Sequence, residues 1–252
     1  MKKKLISATL ILTMVLALVA CGAKGGADTG TATKGVLVMA TNAEFPPYEY
    51  HDGDKIVGID ADIAAAIAEK MGCELKIEDI AFDSIIPEVS SGKADIGLAG
   101  MTVTEDRKQS VDFSDSYASS SQVVIVSEAS GISSLSDLGA DSVIGVQTGT
   151  TGDIYCSDEF SNIERYNKGM EAVQALSQGK IDAVVIDSEP AKVFVSETSG
   201  LKILDESYTD EQYAAAIRKG NTALLENVNK ALSELKSDGT LDKIVAKYIT
   251  AE

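Results

Sequence analysis

Arg107 and Asp187 are side chains whose types could hold a small charged molecule. Arg107 sits in the run Glu105-Asp106-Arg107-Lys108, and Asp187 follows the apolar stretch 183–186. A guanidinium offers a planar fork that fits both oxygens of a carboxylate, and a desolvated carboxylate is the natural partner of an ammonium group. Taken alone, each has a plainer reading. Arg107 is a solvated charge among charged neighbours, and Asp187 is the N-cap of a following helix that Pro190 would suit, with Ser188 also available as the cap. The loop Gln147-Thr148-Gly149-Thr150-Thr151-Gly152 precedes a helical stretch, where free N–H groups favour an anion, although it reads equally as a turn. His51 is the only histidine and lies on a charged stretch, so a hydrolase built on a histidine base has no evident base. Cysteine and histidine spacing matches no zinc site, and neither metal nor cofactor is expected. Cys73 and Cys156 adjoin apolar periodic stretches and read as buried free thiols.

Cys21 ends the run Leu18-Val19-Ala20-Cys21 after an apolar segment that follows Lys2, Lys3 and Lys4. The order of positive, apolar and small residues is that of an export signal, too short to span a bilayer comfortably. It resembles a bacterial lipoprotein signal. The resemblance implies a signal peptide over 1–20, cleavage before Cys21, and diacylglycerol with palmitate-type acylation at Cys21 that anchors the chain to the extracytoplasmic face of the cell membrane. Residues 21–35, rich in Gly, Ala, Thr and Lys, read as a flexible tether. Removing residues 1–20 takes away three lysines and no acids, so the formal charge moves from −17 to −20. Nucleic acid is an unsuitable partner for such a surface.

The elements that must position these residues alternate as in an α/β fold. Apolar runs at 36–40, 75–77, 96–99, 122–126, 143–146, 183–186, 201–204 and 213–217 predict strands. Amphipathic stretches at 60–70, 84–91, 168–178, 189–197, 221–236 and 241–248 predict helices, the first with Asp60 as N-cap and Gly72 as its stop. Ser91-Gly92-Lys93-Ala94-Asp95-Ile96 is echoed 87 residues later by Gln178-Gly179-Lys180-Ile181-Asp182-Ala183. Each copy follows a helix, with a glycine placed for positive φ and a lysine for the negative end of the dipole, and each runs into a strand. Two such copies predict two similar lobes with a cleft between their strand ends.

The stretches Thr41-Asn42-Ala43-Glu44-Phe45-Pro46-Pro47-Tyr48-Glu49-Tyr50, Val57-Gly58-Ile59-Asp60-Ala61-Asp62, Leu98-Ala99-Gly100-Met101-Thr102-Val103-Thr104-Glu105-Asp106-Arg107-Lys108 and Val111-Asp112-Phe113-Ser114 together resemble the polar amino acid binding proteins of ABC importers, solute-binding protein family 3. The likeness covers nearly all of residues 36–250. It implies a two-lobed periplasmic-binding-protein-like fold of type II, with two chain crossings forming a hinge. Lobe 1 would comprise 36–118 and 212–252, and lobe 2 residues 119–211. It also implies a monomer that closes on a free L-amino acid and presents it to a membrane permease with its cytoplasmic ATPase.

Position by position, the resemblance implies that Arg107 clamps the ligand carboxylate. Ala99, Gly100, Thr102 and the lobe 2 donor Thr151 add contacts, Asp187 takes the ammonium, and Phe45 and Phe82 wall the side chain. Asn42 departs from the Asp of many relatives, which removes an anion, and Glu44 is the candidate to restore it. Gln147 stands at a variable position and can donate or accept. A basic ligand is slightly favoured over a neutral polar one. Two other classes compete. One is a sensor or surface lipoprotein that feeds no transporter. The other is an enzyme like the cyclohexadienyl dehydratases, whose acid or base would be Glu44.

Overall fold

The computed structural model describes residues 35–249. The signal segment 1–20, Cys21 and the tether as far as 34 lie outside the described residues. From the N-terminal side the chain forms β1 (Val36–Thr41), β2 (Glu44–Phe45), β3 (Glu49–Asp52), β4 (Lys55–Val57), α1 (Ile59–Met71), β5 (Glu74–Asp79), α2 (Ile85–Ser91), β6 (Ile96–Gly97), α3 (Arg107–Ser110) and β7 (Val111–Phe113). There follow β8 (Ala118–Ser127), β9 (Val143–Gln147), α4 (Thr151–Glu159), β10 (Asn162–Tyr166), α5 (Gly169–Ser177), β11 (Ala183–Asp187), α6 (Ser188–Glu197) and β12 (Leu201–Ile203). The chain closes with β13 (Thr209–Tyr213), β14 (Ala216–Arg218), α7 (Thr222–Ser237) and α8 (Thr240–Tyr248).

Two sheets organise these elements, in the orders β5-β1-β6-β14-β7 and β10-β9-β11-β8-β12. In each, a central strand pairs parallel with both neighbours, and the strand beyond is antiparallel. Strands covered by helices on both faces need apolar side chains on both, which is why β11 (AVVID) is buried throughout. The last two helices return to the first lobe. α7 turns Leu224, Val228, Ala231, Leu232 and Leu235 inward and packs on α1, whose Ile63, Ala64 and Ile67 face it across the core.

The sequence echo has one structural meaning in both lobes. Gly92 (φ 76°) and Gly179 (φ 68°) turn the chain out of their helices in the left-handed region. Asp95 Oδ2 then accepts the amide of Val38 at 2.9 Å, and Asp182 Oδ2 accepts that of Val143 at 2.8 Å. Each aspartate amide donates back to the same residue, at 2.9 Å in both cases. The side chain of Lys93 bonds Glu88 instead of the helix end.

Three expectations need correction. The single strand over 213–217 is two: β13 ends at Tyr213 beside β8, and β14 starts at Ala216 in the other sheet. The break between them is a crossing between lobes, and β8 supplies the other crossing next to it. Gly58, not Asp60, is the N-cap of α1, because the Asp60 carboxylate is taken by Gly100 N and Tyr117 Oη. Ser188 is the first residue of α6, after Asp187 at the N-cap position, and the Asp187 side chain makes no capping bond. Sequence patterning also passed over the small sheet β2-β3-β4, which sets Phe45 opposite Glu49, and the short strands β7 and β10. No helix among the described residues is long and apolar enough to cross a membrane.

Candidate functional site

The carboxyl ends of the parallel strands in the two sheets face each other across a narrow cavity. From the first lobe it is lined by Asn42 after β1, Phe45 on β2, Glu49 on β3, Phe82 after β5, Ala99, Gly100 and Thr102 after β6, and Arg107 at the start of α3. From the second come Gln147 at the end of β9, Thr150 and Thr151 at the start of α4, and Asp187 at the end of β11. Of the eleven positions named from the sequence, ten therefore meet in one cavity. Glu44 does not line it. Its carboxylate pairs with Lys168 across the rim, tying β2 to the residue before α5.

Arg107 is 7% exposed. It donates from Nη1 to Thr102 O at 2.7 Å and from Nη2 to Gly149 O in the opposite lobe at 3.1 Å. Its guanidinium carbon lies 5.4 Å from the centre of the Phe82 ring. Burial lowers its pKa, and the nearby Glu211 and Asp187 act the other way. Arg107 is the only cation among the lining residues.

Asp187 accepts hydrogen bonds from Tyr213 Oη and from Gln122 Nε2, the latter at 2.7 Å. Burial first, and Glu211 second, raise its pKa. The same Gln122 nitrogen reaches Glu211 Oε2 at 3.1 Å, which also accepts Thr102 Oγ1 at 2.9 Å, so the Thr102 hydroxyl is turned toward Glu211. Gln122, Glu211 and Tyr213 form a buried layer on the two crossings behind the cavity. The sequence placed Gln122 and Tyr213 only at strand starts; a polar residue heading an apolar run was the available signal.

The α4 end of the cavity suits an anion. Thr150 caps the helix by accepting Asp153 N at 3.3 Å, and Thr150 and Thr151 bring its positive pole to the cavity wall. Gln147 Nε2 donates to Asn42 Oδ1 at 2.9 Å, an uncharged bond across the cleft. Gly100, at φ 52°, lets Phe45 lie close: a Cβ there would stand 2.9 Å from the Phe45 ring.

Two lining residues, Glu49 and Thr150, were not named as site positions from the sequence, although Thr150 lies in the loop read there as an anion site; Glu49 is the one with no such reading. It is fully buried, and neither of its carboxylate oxygens meets a donor. Burial, reinforced by neighbouring Asp60, raises its pKa well above the usual carboxylate range. Its only signal was a glutamate between two tyrosines after Pro46-Pro47. The arrangement offers a cation and a helix pole for a carboxylate, Asp187 for an ammonium, and a further buried acid for a third polar group.

Comparison with known proteins gives a consistent family. A profile of the bacterial extracellular solute-binding proteins, family 3, matches residues 37–251. A probable histidine-binding protein of Neisseria gonorrhoeae is 37% identical over 99% of this chain and 97% of its own. The arginine-binding extracellular protein ArtP of Bacillus subtilis (strain 168) is 34% identical over 95% of each. Among solved structures, an ancestral arginine-binding protein, determined once with arginine and once with glutamine, is 42% identical with a TM-score of 0.81, covering 86% of this chain and 99% of that one.

Proposed function

The chain belongs to the bacterial extracellular solute-binding proteins of family 3, and on that premise we propose that it is the extracytoplasmic substrate-binding component of an amino acid ABC importer. It takes a polar, preferentially basic, L-amino acid into the cleft between its lobes. The observation that carries this reading is the placement of one buried cation, Arg107, and one buried carboxylate, Asp187, on opposite lobes of a single narrow cavity. A zwitterion leaving water needs both.

Arg107 holds the α-carboxylate with help from Thr151 and the α4 pole. Asp187 takes the α-ammonium, and Ala99, Gly100 and Thr102 line the backbone end. Phe45 and Phe82 wall the side chain, whose tip meets Asn42, Gln147 and Glu49. Glu49 supports the basic preference, and so do the names of the arginine- and histidine-binding relatives. Glu44 acts at the rim. We place the lobe boundaries at 118/119 and 211/212, on the two crossings. The partners are a permease with its ATPase, and the protein works as a monomer held to the membrane by acylated Cys21.

We read the protein as binding without catalysis. Of the acids named from sequence, Glu44 lies outside the cavity; Glu49 is the group an enzyme would use, and recovery of unchanged ligand after incubation would exclude that role.

Calorimetric titration with arginine tests the site. Arg107→Ala should abolish binding with the fold retained by circular dichroism, and Asp187→Asn should weaken it at least about tenfold, or 1.4 kcal/mol. Unchanged affinity in either variant refutes the corresponding assignment.

A further inference from the structure

Glu49 opens β3 and Asp60 lies in the first turn of α1, and neither side chain has any exposed surface. The two residues are brought side by side where the Asp60 amide donates to Tyr48 O, the residue before Glu49, at 2.9 Å, and each carboxyl bears on the protonation of the other. Asp60 Oδ2 is satisfied by Gly100 N at 2.8 Å and Tyr117 Oη at 2.7 Å. Asp60 Oδ1 and both oxygens of Glu49 meet no donor among the described residues. Two buried ionised carboxylates side by side repel, and since both only accept, neither relieves the other's orphan oxygens without a proton on one. The surroundings supply no alternative. Asp187 on β11 and Asp79 on β5 act on Glu49 with the same sign as Asp60, and Tyr48 and Tyr117, from the β2–β3 turn and the stretch before β8, are phenols held neutral by burial. Glu49 lines the cavity while Asp60 stands behind it, so a bound side chain meets the pair through Glu49.

We propose that Glu49 and Asp60 share one exchangeable proton that matches the charge of the bound side chain: a neutral amide is bound with the proton kept, and a cationic side chain is bound with the proton released to solvent. This rests on the amino-acid-binding reading above and deepens it. One slot then accepts both ligand classes, and pH sets the preference. The arginine complex carries one proton fewer on the pair than the glutamine complex. Arginine and glutamine share the same α-carboxylate and α-ammonium, so titration of Asp187 cancels in their affinity ratio. That ratio should rise about tenfold per pH unit, the dependence that a one-proton difference requires.

The test is calorimetric titration of the full chain, after unfolding and refolding, with arginine and with glutamine. Measurements at pH 5, 6 and 7, each in two buffers of different ionisation enthalpy, count the protons exchanged. The expected result is a difference of about one proton between the ligands and a hundredfold change in affinity ratio from pH 5 to 7. Glu49→Gln should make the ratio independent of pH and weaken arginine at least tenfold. Equal proton numbers, a pH-independent ratio in the wild type, or binding of only one of the two ligands overturns the proposal while leaving amino acid binding in place. Failure of every amino acid to bind refutes the underlying reading instead.

Discussion

Glu49, Asp60 and Asp187 are held above their ordinary carboxylate range, Asp60 to about 6, with burial the largest cause for each. In the unfolded chain such groups ionise near pH ~4. Between that value and their raised native values the folded protein keeps protons that the unfolded chain has lost, so stability falls as pH rises through this window. Asp137 and Asp238 are shifted the other way, and the stability they contribute is present above pH ~4 and lost only below it. Without ligand, the unfolding midpoint should therefore be higher at pH 5 than at pH 8. Asp187→Asn should flatten part of that slope, which separates the buried carboxyls from the general repulsion of an acidic chain. A midpoint that rises from pH 5 to pH 8 contradicts this assignment.

The elements that carry site residues also join the lobes. The Arg107–Gly149, Gln147–Asn42 and Lys168–Glu44 contacts all cross the cleft. The last is partly exposed and so worth about 0.2–1 kcal/mol. Lys168→Ala should speed ligand release by up to about fivefold in stopped-flow measurements and leave association nearly unchanged; an equal loss in association instead would place the pair in the encounter. Most of this framework was legible in the sequence. Buried parallel strands leave continuous apolar runs, and the paired Gly-Lys-x-Asp loops exposed the repeat through the shared role of Asp95 and Asp182. Ten of eleven proposed site positions meet in one cavity because the family resemblance assigned them to the strand ends that face the cleft. What stayed hidden depends on contacts distant in sequence. Strand alternation could not tell that Glu44 turns to Lys168 while Glu49 turns inward, nor that Asp60 is claimed by Gly100 rather than by its own helix. The crossing at 213–216 was hidden for the same reason: Tyr213-Ala-Ala-Ala-Ile217 is uniformly apolar although its two halves serve different sheets.

At the scale of the whole molecule, a two-lobed body with adjacent crossings at β8 and β13 suits hinge closure over a ligand. Its formal net charge of −17 makes it a strongly acidic body that repels its own copies. Cys21→Ser should release the protein from the membrane fraction and abolish labelling by a fatty-acid probe, and a labelled variant would remove the anchor from the account. The central claim is that the cleft binds a free amino acid through Arg107 and Asp187. Its most direct test is thermal unfolding of the refolded, ligand-stripped protein against each of the twenty amino acids. A ligand at 100 times its Kd adds about 2.7 kcal/mol. We predict a clear rise of the midpoint with arginine or lysine, and its loss in Arg107→Ala; no response to any of the twenty would contradict the claim.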